Sequence, residues 1–323
     1  MENKVRIIKD CIYGHIKVPE LCSKFIDQPE FQRLRRIKQL GNVSRVYPSA
    51  VHTRFEHSIG VMYLARKMCK TLKIKDKRII ELIQLAGLYH DIGHMPYSHL
   101  FDKALEFIEF IGMIRYHEQR SIVTFVKVAE RLKLLTTNEE KFVCSCILGT
   151  YYPNDIYPKY LFQIINGVVD VDRLDYLRRD AYHTGMSSFQ SDYIIHNAVI
   201  VNDELCFKLK AKEDIKDMFD TRRRMHELVY QHHVSLQYDT MYICMILTLC
   251  ETDAGFIKEE LCDYQLDTIL MTNKLTKDIY LSLEKRIKDH NLLCNNKNHN
   301  NLTDKIGTKN IITKDSINDV KFV

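Results

Sequence analysis

An apolar run from Ile79 to Leu88 ends in the doublet His90-Asp91, inside Leu88-Tyr89-His90-Asp91-Ile92-Gly93-His94. A His-Asp pair alone at a helix end is usually a cap or a surface ion pair. Here a second His stands upstream in Arg54-Phe55-Glu56-His57-Ser58, and an acidic motif stands downstream in Asp170-Val171-Asp172-Arg173-Leu174-Asp175-Tyr176. A His, the His-Asp pair and one Asp of the downstream motif make a mixed nitrogen and oxygen ligand set for one divalent metal. Imidazoles with carboxylates suit Mn, Fe or Zn better than Ca or Mg, which prefer oxygen alone. For these ligands to meet, the chain between them must close into one packed body. The 323 residues would allow two domains at ~150 residues each. The spread of the ligands favours one large domain over residues 1–287.

The patterning of that domain is mainly helical. Apolar spacing predicts helices over 59–72, 77–89, 99–111, 118–132 and 139–148. Another covers 159–182, broken near Gly167, and a long helical region covers 215–251. Glu30 stands in capping-box spacing from Asp27, which predicts a helix running to Leu40 and stopped by Gly41. Short extended segments around a turn open the chain, and a β-hairpin is expected around 199–209. If the helix that carries His90 continues, His94 lies one turn further on the same face. Asp172, Tyr176 and Asp180 are spaced by four, as are Arg222, His226 and Tyr230. Such polar stripes face either solvent or a polar cavity. Residues 288–323, with Asn295-Asn296-Lys297-Asn298-His299-Asn300-Asn301, read as a polar, weakly structured tail.

These motifs carry a family resemblance. The chain resembles the HD-domain phosphohydrolases, and among them the deoxynucleoside triphosphate triphosphohydrolases of animals that join an HD domain to a sterile alpha motif. The shared text includes Gly14-His15-Ile16, Phe31-Gln32-Arg33-Leu34-Arg35-Arg36-Ile37-Lys38-Gln39-Leu40-Gly41, the three motifs above, His117-Glu118-Gln119 and Tyr230-Gln231-His232. It runs from about Lys4 to Glu284. No sterile alpha motif is read in the chain, and its C-terminal lobe is short by comparison.

The resemblance implies an HD helical fold and hydrolysis of deoxynucleoside triphosphates to deoxynucleoside and inorganic triphosphate. It implies a metal on His57, His90, Asp91 and Asp172, with Mg as a further ion on the substrate phosphates. His94 and His99 would contact the α-phosphate, and His117, oriented by Asp102, would be the acid/base group. Arg54, Arg173 and Arg222 match phosphate contacts, although Arg173 replaces a Lys. Gln39, Tyr176 and Asp180 match residues that hold the sugar 3′-hydroxyl. Leu40 and Tyr230 match those that crowd its 2′ carbon, and Gln231 approaches the base. A GTP or dGTP activator site would use Arg6, Asp27, Gln32, Arg35, Lys208 and Lys210, in a homo-oligomer, dimer or tetramer. Arg6 replaces a Lys there, Lys9 an Asn and Ile195 an Arg, which weakens the match to the full activation scheme.

Composition sets wider bounds. A hydrophobic fraction of 46% is ample for a large core, and a net charge of +5 is too mild to argue for nucleic acid by itself. Single-stranded nucleic acid stays a secondary partner because of the basic runs 33–38 and 222–224. No apolar segment follows the first residues, and the apolar stretch 241–249 is too short to span a bilayer. With ten cysteines and no Cys-x-x-Cys pair, the expected compartment is a reducing one inside the cell, cytoplasmic or nuclear, away from membranes. The alternatives are an HD hydrolase of a monophosphate, cyclic nucleotide or alarmone, and a nucleotide or single-strand binding protein with weak catalysis.

Overall fold

The computed structural model describes residues 6–108, 114–152, 156–252, 254–286 and 316–323. Strands β1 (Arg6–Asp10) and β2 (Gly14–Val18) pair antiparallel. Asp10 closes their turn by accepting from the Ile12 and Tyr13 amides at 2.8 and 2.9 Å. Helices α1 (Glu20–Ile26) and α2 (Pro29–Arg33) follow.

The helix expected to reach Leu40 stops at Arg33. Leu34–Arg36 tighten into a 3-10 turn, Ile37 is extended, and Lys38 pairs with Thr53. The next amides find partners outside any helix: Lys38 N–H donates to Asp263 Oδ2 at 3.0 Å and Gln39 N–H to His52 O at 2.9 Å. The capping box does not form. Gln28 is the N-cap and makes no side-chain cap bond, while Asp27 pairs with Arg6 and Glu30 with Arg131. These long-range pairs outweigh the local cap.

Helices α3 (Arg54–Thr71) and α4 (Lys77–Tyr89) pack against each other at the centre. Asp76 caps α4 by accepting from the Arg78 and Ile79 amides. The helix ends at Tyr89, and tight turns carry the chain through Ile92 and His94. His94 therefore does not lie on a continuation of α4. Next come α5 (His99–Phe107), α6 (His117–Leu132) and α7 (Thr137–Leu148). The end of the helix expected over 99–111 lies outside the described residues. α7 has a Thr136/Glu139 capping box and stops at Gly149 in the left-handed region.

Residues 159–182 break as expected near Gly167, into α8 (Lys159–Ile165) and α9 (Val171–Thr184). After α10 (Ser191–His196), β3 (Ala198–Val201) and β4 (Glu204–Phe207) form the second hairpin, with Asn202 and Asp203 at positive φ in the turn. The long region beyond is interrupted. α11 (Lys212–Met225) runs into a π-helical turn at His226–Tyr230, before α12 (His233–Thr252). Helices α13 (Asp263–Thr272) and α14 (Lys277–Glu284) follow. Of the segment 288–323, residues 288–315, including Asn295 to Asn301, lie outside the described residues. The last three lie along the end of β4: Lys321 O and Val323 N–H bond the Phe207 backbone at 2.9 Å each, and Phe322 bridges Phe207.

Two apolar clusters result. One is built on α1, α3, α4 and α7 to α9, the other on α5 and α12 to α14. The His-Asp turn lies between them. Arg33, 6% exposed, ties them together. Its guanidinium donates to Leu261 O at 3.0 Å and to Ile92 O and His94 O at 2.8 Å. Two glycines permit the close approaches this requires. A Cβ on Gly60 of α3 would lie 1.9 Å from the Asp175 carboxylate on α9, and one on Gly93 would lie 2.3 Å from His117 O on α6.

Candidate active site

Four elements meet at one point: the start of α3 with His57, the end of α4 with His90, the following turn with Asp91, and the first turn of α9 with Asp172. His57 Nε2 lies 3.3 Å from His90 Nε2, 3.1 Å from Asp172 Oδ1 and 3.4 Å from Asp91 Oδ2. His90 Nε2 is 3.4 Å from Asp172 Oδ1 and 3.4 Å from Asp91 Oδ1. Donors bound to one ion at ~2.1 Å stand roughly 3.0 to 3.4 Å apart, so the spacing fits a shared metal.

The tautomers decide what these atoms offer. His90 Nδ1 is 2.9 Å from Gly87 O, which can only accept, and His57 Nδ1 is 2.8 Å from Asp175 Oδ2. In the neutral rings both Nδ1 atoms therefore carry the proton and both Nε2 atoms turn a lone pair to the centre; without a metal, a proton on His57 Nε2 takes that place. Two lone pairs and two carboxylates facing inward repel unless a cation sits among them. The same demand shows in protonation. Burial opposes charge on His57, yet bonds to Asp172, Asp175 and Asp91 lift its pKa well above the ordinary imidazole value. Burial likewise opposes ionisation of Asp172, but His57 and His90 hold its carboxyl far below the usual range. The site favours positive charge, which a divalent metal would supply.

A second group adjoins the first. His94 is fully buried and stacks on His117 with ring centroids 3.9 Å apart. Its Nε2 is 3.5 Å from Asp91 Oδ1, and burial and the Arg54 charge hold it neutral. Neither of its ring nitrogens has a hydrogen-bond partner among the described residues. His117, first residue of α6, has Nδ1 2.9 Å from Asp102 Oδ2 on α5. Asp102 also receives Arg120, which in turn bonds Gly93 O at 2.8 Å. His99, at the mouth with 65% of its side chain exposed, has Nδ1 3.7 Å from Asp102. Thus His94, His99, Asp102 and His117 converge beside His57, His90 and Asp172.

The other expected residues divide. Arg54 is buried, paired with Asp91 and bonded to Ser98 Oγ at 2.9 Å. Arg173 bonds Asp170 and Gly167 O at the start of α9. Asp180 is buried between His52 Nε2 at 2.8 Å and the Tyr230 hydroxyl at 2.7 Å. Tyr176 is half-buried, its hydroxyl pKa raised by burial against the pull of Arg222. Gln39 is buried, and Leu40 packs at the edge of the core. The Arg222, His226, Tyr230 stripe crosses the π-helical turn. There burial, Arg222 and His99 push His226 down to about 4. Gln231 ends that turn, bonded to His226 O at 3.0 Å. Arg6, Asp27, Gln32 and Arg35 form a separate group: Arg6 Nη1 bonds Asp27 at 2.5 Å and Arg35 Nε bonds Gln32 Oε1 at 2.9 Å. Lys208 is the N-cap of a 3-10 turn, Leu209–Ala211, that contains Lys210 and precedes α11. The spacing arguments did not single out Asp175, Arg179, Arg33 or His52 as part of the site.

The HD-domain family model matches residues 54–180, which hold all four candidate metal ligands. The chain belongs to the HD superfamily and is homologous to its deoxynucleoside triphosphate triphosphohydrolases. It is 36% identical over 251 residues to the deoxynucleoside triphosphate triphosphohydrolase SAMHD1 homolog of Dictyostelium discoideum, covering 73% of this chain and 48% of that protein. With deoxynucleoside triphosphate triphosphohydrolase SAMHD1 of Homo sapiens it shares 34% over 351 residues, covering 94% and 55%. With the putative HD domain-containing protein L394 of Acanthamoeba polyphaga mimivirus it shares 36% over 245 residues, covering 68% and 53%. The chain spans about half the length of these relatives. No described helix is long and apolar enough to cross a membrane.

Proposed function

We propose that the protein hydrolyses deoxynucleoside triphosphates to deoxynucleoside and inorganic triphosphate. The observation that carries this reading is the convergence of the His57 and His90 Nε2 atoms on Asp172 and Asp91, beside the Asp102–His117 pair. His57, His90, Asp91 and Asp172 would hold Mn, Fe or Zn, which when bound polarises a phosphoryl oxygen and acidifies a water.

The chain's own residues do the rest. Arg54 holds Asp91 in place and adds charge beside the α-phosphate. Arg173 and Arg222, with Mg as counter-ion, offset the outer phosphates. His94 is kept neutral, so it donates one hydrogen bond to the α-phosphate, and His99 at the mouth donates a second. Water attacks the α-phosphorus and the bond to the 5′ oxygen breaks. His117, oriented by Asp102, gives that oxygen a proton. The three phosphates leave joined.

Gln39, Tyr176 and Asp180 hold the 3′-hydroxyl, and Gln231 meets the base. Leu40 and Tyr230 close on the 2′ carbon, where a ribose hydroxyl would clash and lose its hydration. Arg6, Asp27, Gln32 and Arg35, with Lys208 and Lys210, suit a guanine nucleotide that regulates a homo-oligomer.

Turnover of dATP and ATP in competition, with Mn and with or without GTP, tests the reading. We expect dATP to be strongly preferred, with GTP raising its rate. Equal specificity constants would refute the sugar gate.

A further inference from the structure

Asp180 closes the polar stripe of α9, and both of its oxygens are already engaged. Oδ1 lies 2.8 Å from His52 Nε2, and Oδ2 accepts from the Tyr230 hydroxyl at 2.7 Å. Asp180 is 1% exposed and His52 2%. An ionised carboxylate only accepts, so this contact fixes the His52 proton on Nε2. His52 Nδ1 has no partner among the described residues. Instead the ring lies flat against His183, with centroids 4.2 Å apart and planes 13° from parallel. The backbone of His52 accepts from the Gln39 amide at 2.9 Å. One residue thus touches Gln39 through its carbonyl and Asp180 through its ring.

We propose that His52 is a positioning residue for sugar recognition, holding Asp180 so that its carboxylate reads the 3′-hydroxyl. This rests on the deoxynucleotide reading of the site. A carboxylate has about four acceptor positions, and two donors leave room for a hydroxyl. Tyr230 belongs to the π-helical turn, a form often placed at functional sites. With only that donor, the carboxylate can turn. His52 prevents this, because the His183 stack locks its ring.

The test compares dATP with 2′,3′-dideoxy-ATP, using the wild-type protein and His52→Phe in the presence of Mn. Phenylalanine keeps the stack on His183 and removes the donor. We expect the wild type to prefer dATP. His52→Phe should lose about tenfold or more in kcat/KM for dATP, mainly through KM, as expected for one bond to a charged group. Dideoxy-ATP turnover and bound metal should be unchanged, so the preference collapses. His52→Gln, which keeps a side-chain N–H, should restore part of it.

A His52→Phe protein that keeps the full preference overturns the proposal. So does one that loses both substrates equally with its metal bound. A wild type that does not distinguish the two nucleotides instead refutes the assignment of Asp180 to the 3′-hydroxyl, and the role of His52 with it. Should His52→Phe not fold, nitrogen-15 NMR of labelled histidine in the wild type decides, with His52→Gln used for assignment. The Nε2–H tautomer is expected, and the Nδ1–H tautomer would contradict the proposal.

Discussion

Replacing Asp175 with Asn should empty the metal site without touching a ligand. Asp175 is fully buried on α9 and accepts from His57 Nδ1 at 2.8 Å. Its carboxylate also takes two bonds from Arg179, at 2.9 and 3.0 Å, and Arg179 continues to Asp10 at 2.9 Å. Burial works against its charge, but Arg179 and His57 hold its pKa down to about 2, so it is ionised at neutral pH. Asparagine keeps the shape but has one acceptor. Arg179 donates to both oxygen positions, and with the amide oxygen held at Oδ1 by Arg179 Nη2 the NH2 takes the Oδ2 place against His57 Nδ1. His57 then accepts at Nδ1 and carries its proton on Nε2, aimed at the place a metal would occupy. Loss of an outer partner of a metal-bound His typically costs 10- to 100-fold in affinity, about 1.4 to 2.7 kcal/mol. Because the tautomer itself reverses, we expect Asp175→Asn at the upper end of that range. Titration of the metal-free protein with Mn by calorimetry measures this, and a thermal melt checks folding. A folded Asp175→Asn protein with Mn affinity within twofold of wild type would refute the reasoning.

Two further outcomes follow from other contacts. Arg33→Ala leaves the carbonyls of Leu261, Ile92 and His94 without their donor. It should lower the stability by about 3 kcal/mol or more, read as a lower urea midpoint; an unchanged midpoint would contradict the tie between the two clusters. The bond from Arg78 at 2.6 Å lowers the Glu139 pKa to about 2, below its unfolded value. Its stabilisation is therefore complete above the unfolded pKa and is lost as pH falls towards 2. Glu139→Gln should lower the melting temperature at pH 7 and make little difference near pH 2; an equal loss at both would contradict the ion-pair origin.

The sequence made the helices around the metal legible because their apolar period is strong and their caps are local. α4 begins at Asp76 and α7 at Thr136, where short polar side chains meet the first amides. It misled where distant groups compete with local ones. The Asp27 and Glu30 pattern reads as a cap, but both side chains are drawn to arginines elsewhere. Arg33 reads as one member of a basic run open to nucleic acid, and its burial against three carbonyls has no periodic signature. Asp175 and Arg179, four apart, look like an exposed helix pair. The signal against that lies far away, in Gly60, whose missing side chain makes room for both. The four-residue spacing puts His94 on the face of His90 only if the helix runs on, and the helix ends at Tyr89. The turn brings His94 to Asp91 by another route.

The bond that is cut tests the central claim most directly. The roles proposed for His94 and His99 at the α-phosphate, for the metal ligands and for His117 as the acid at the 5′ oxygen together predict one product pair. Phosphorus NMR of dATP hydrolysis by the Mn-loaded protein should show inorganic triphosphate growing in step with deoxyadenosine. Pyrophosphate with deoxyadenosine monophosphate as the first products would contradict the account.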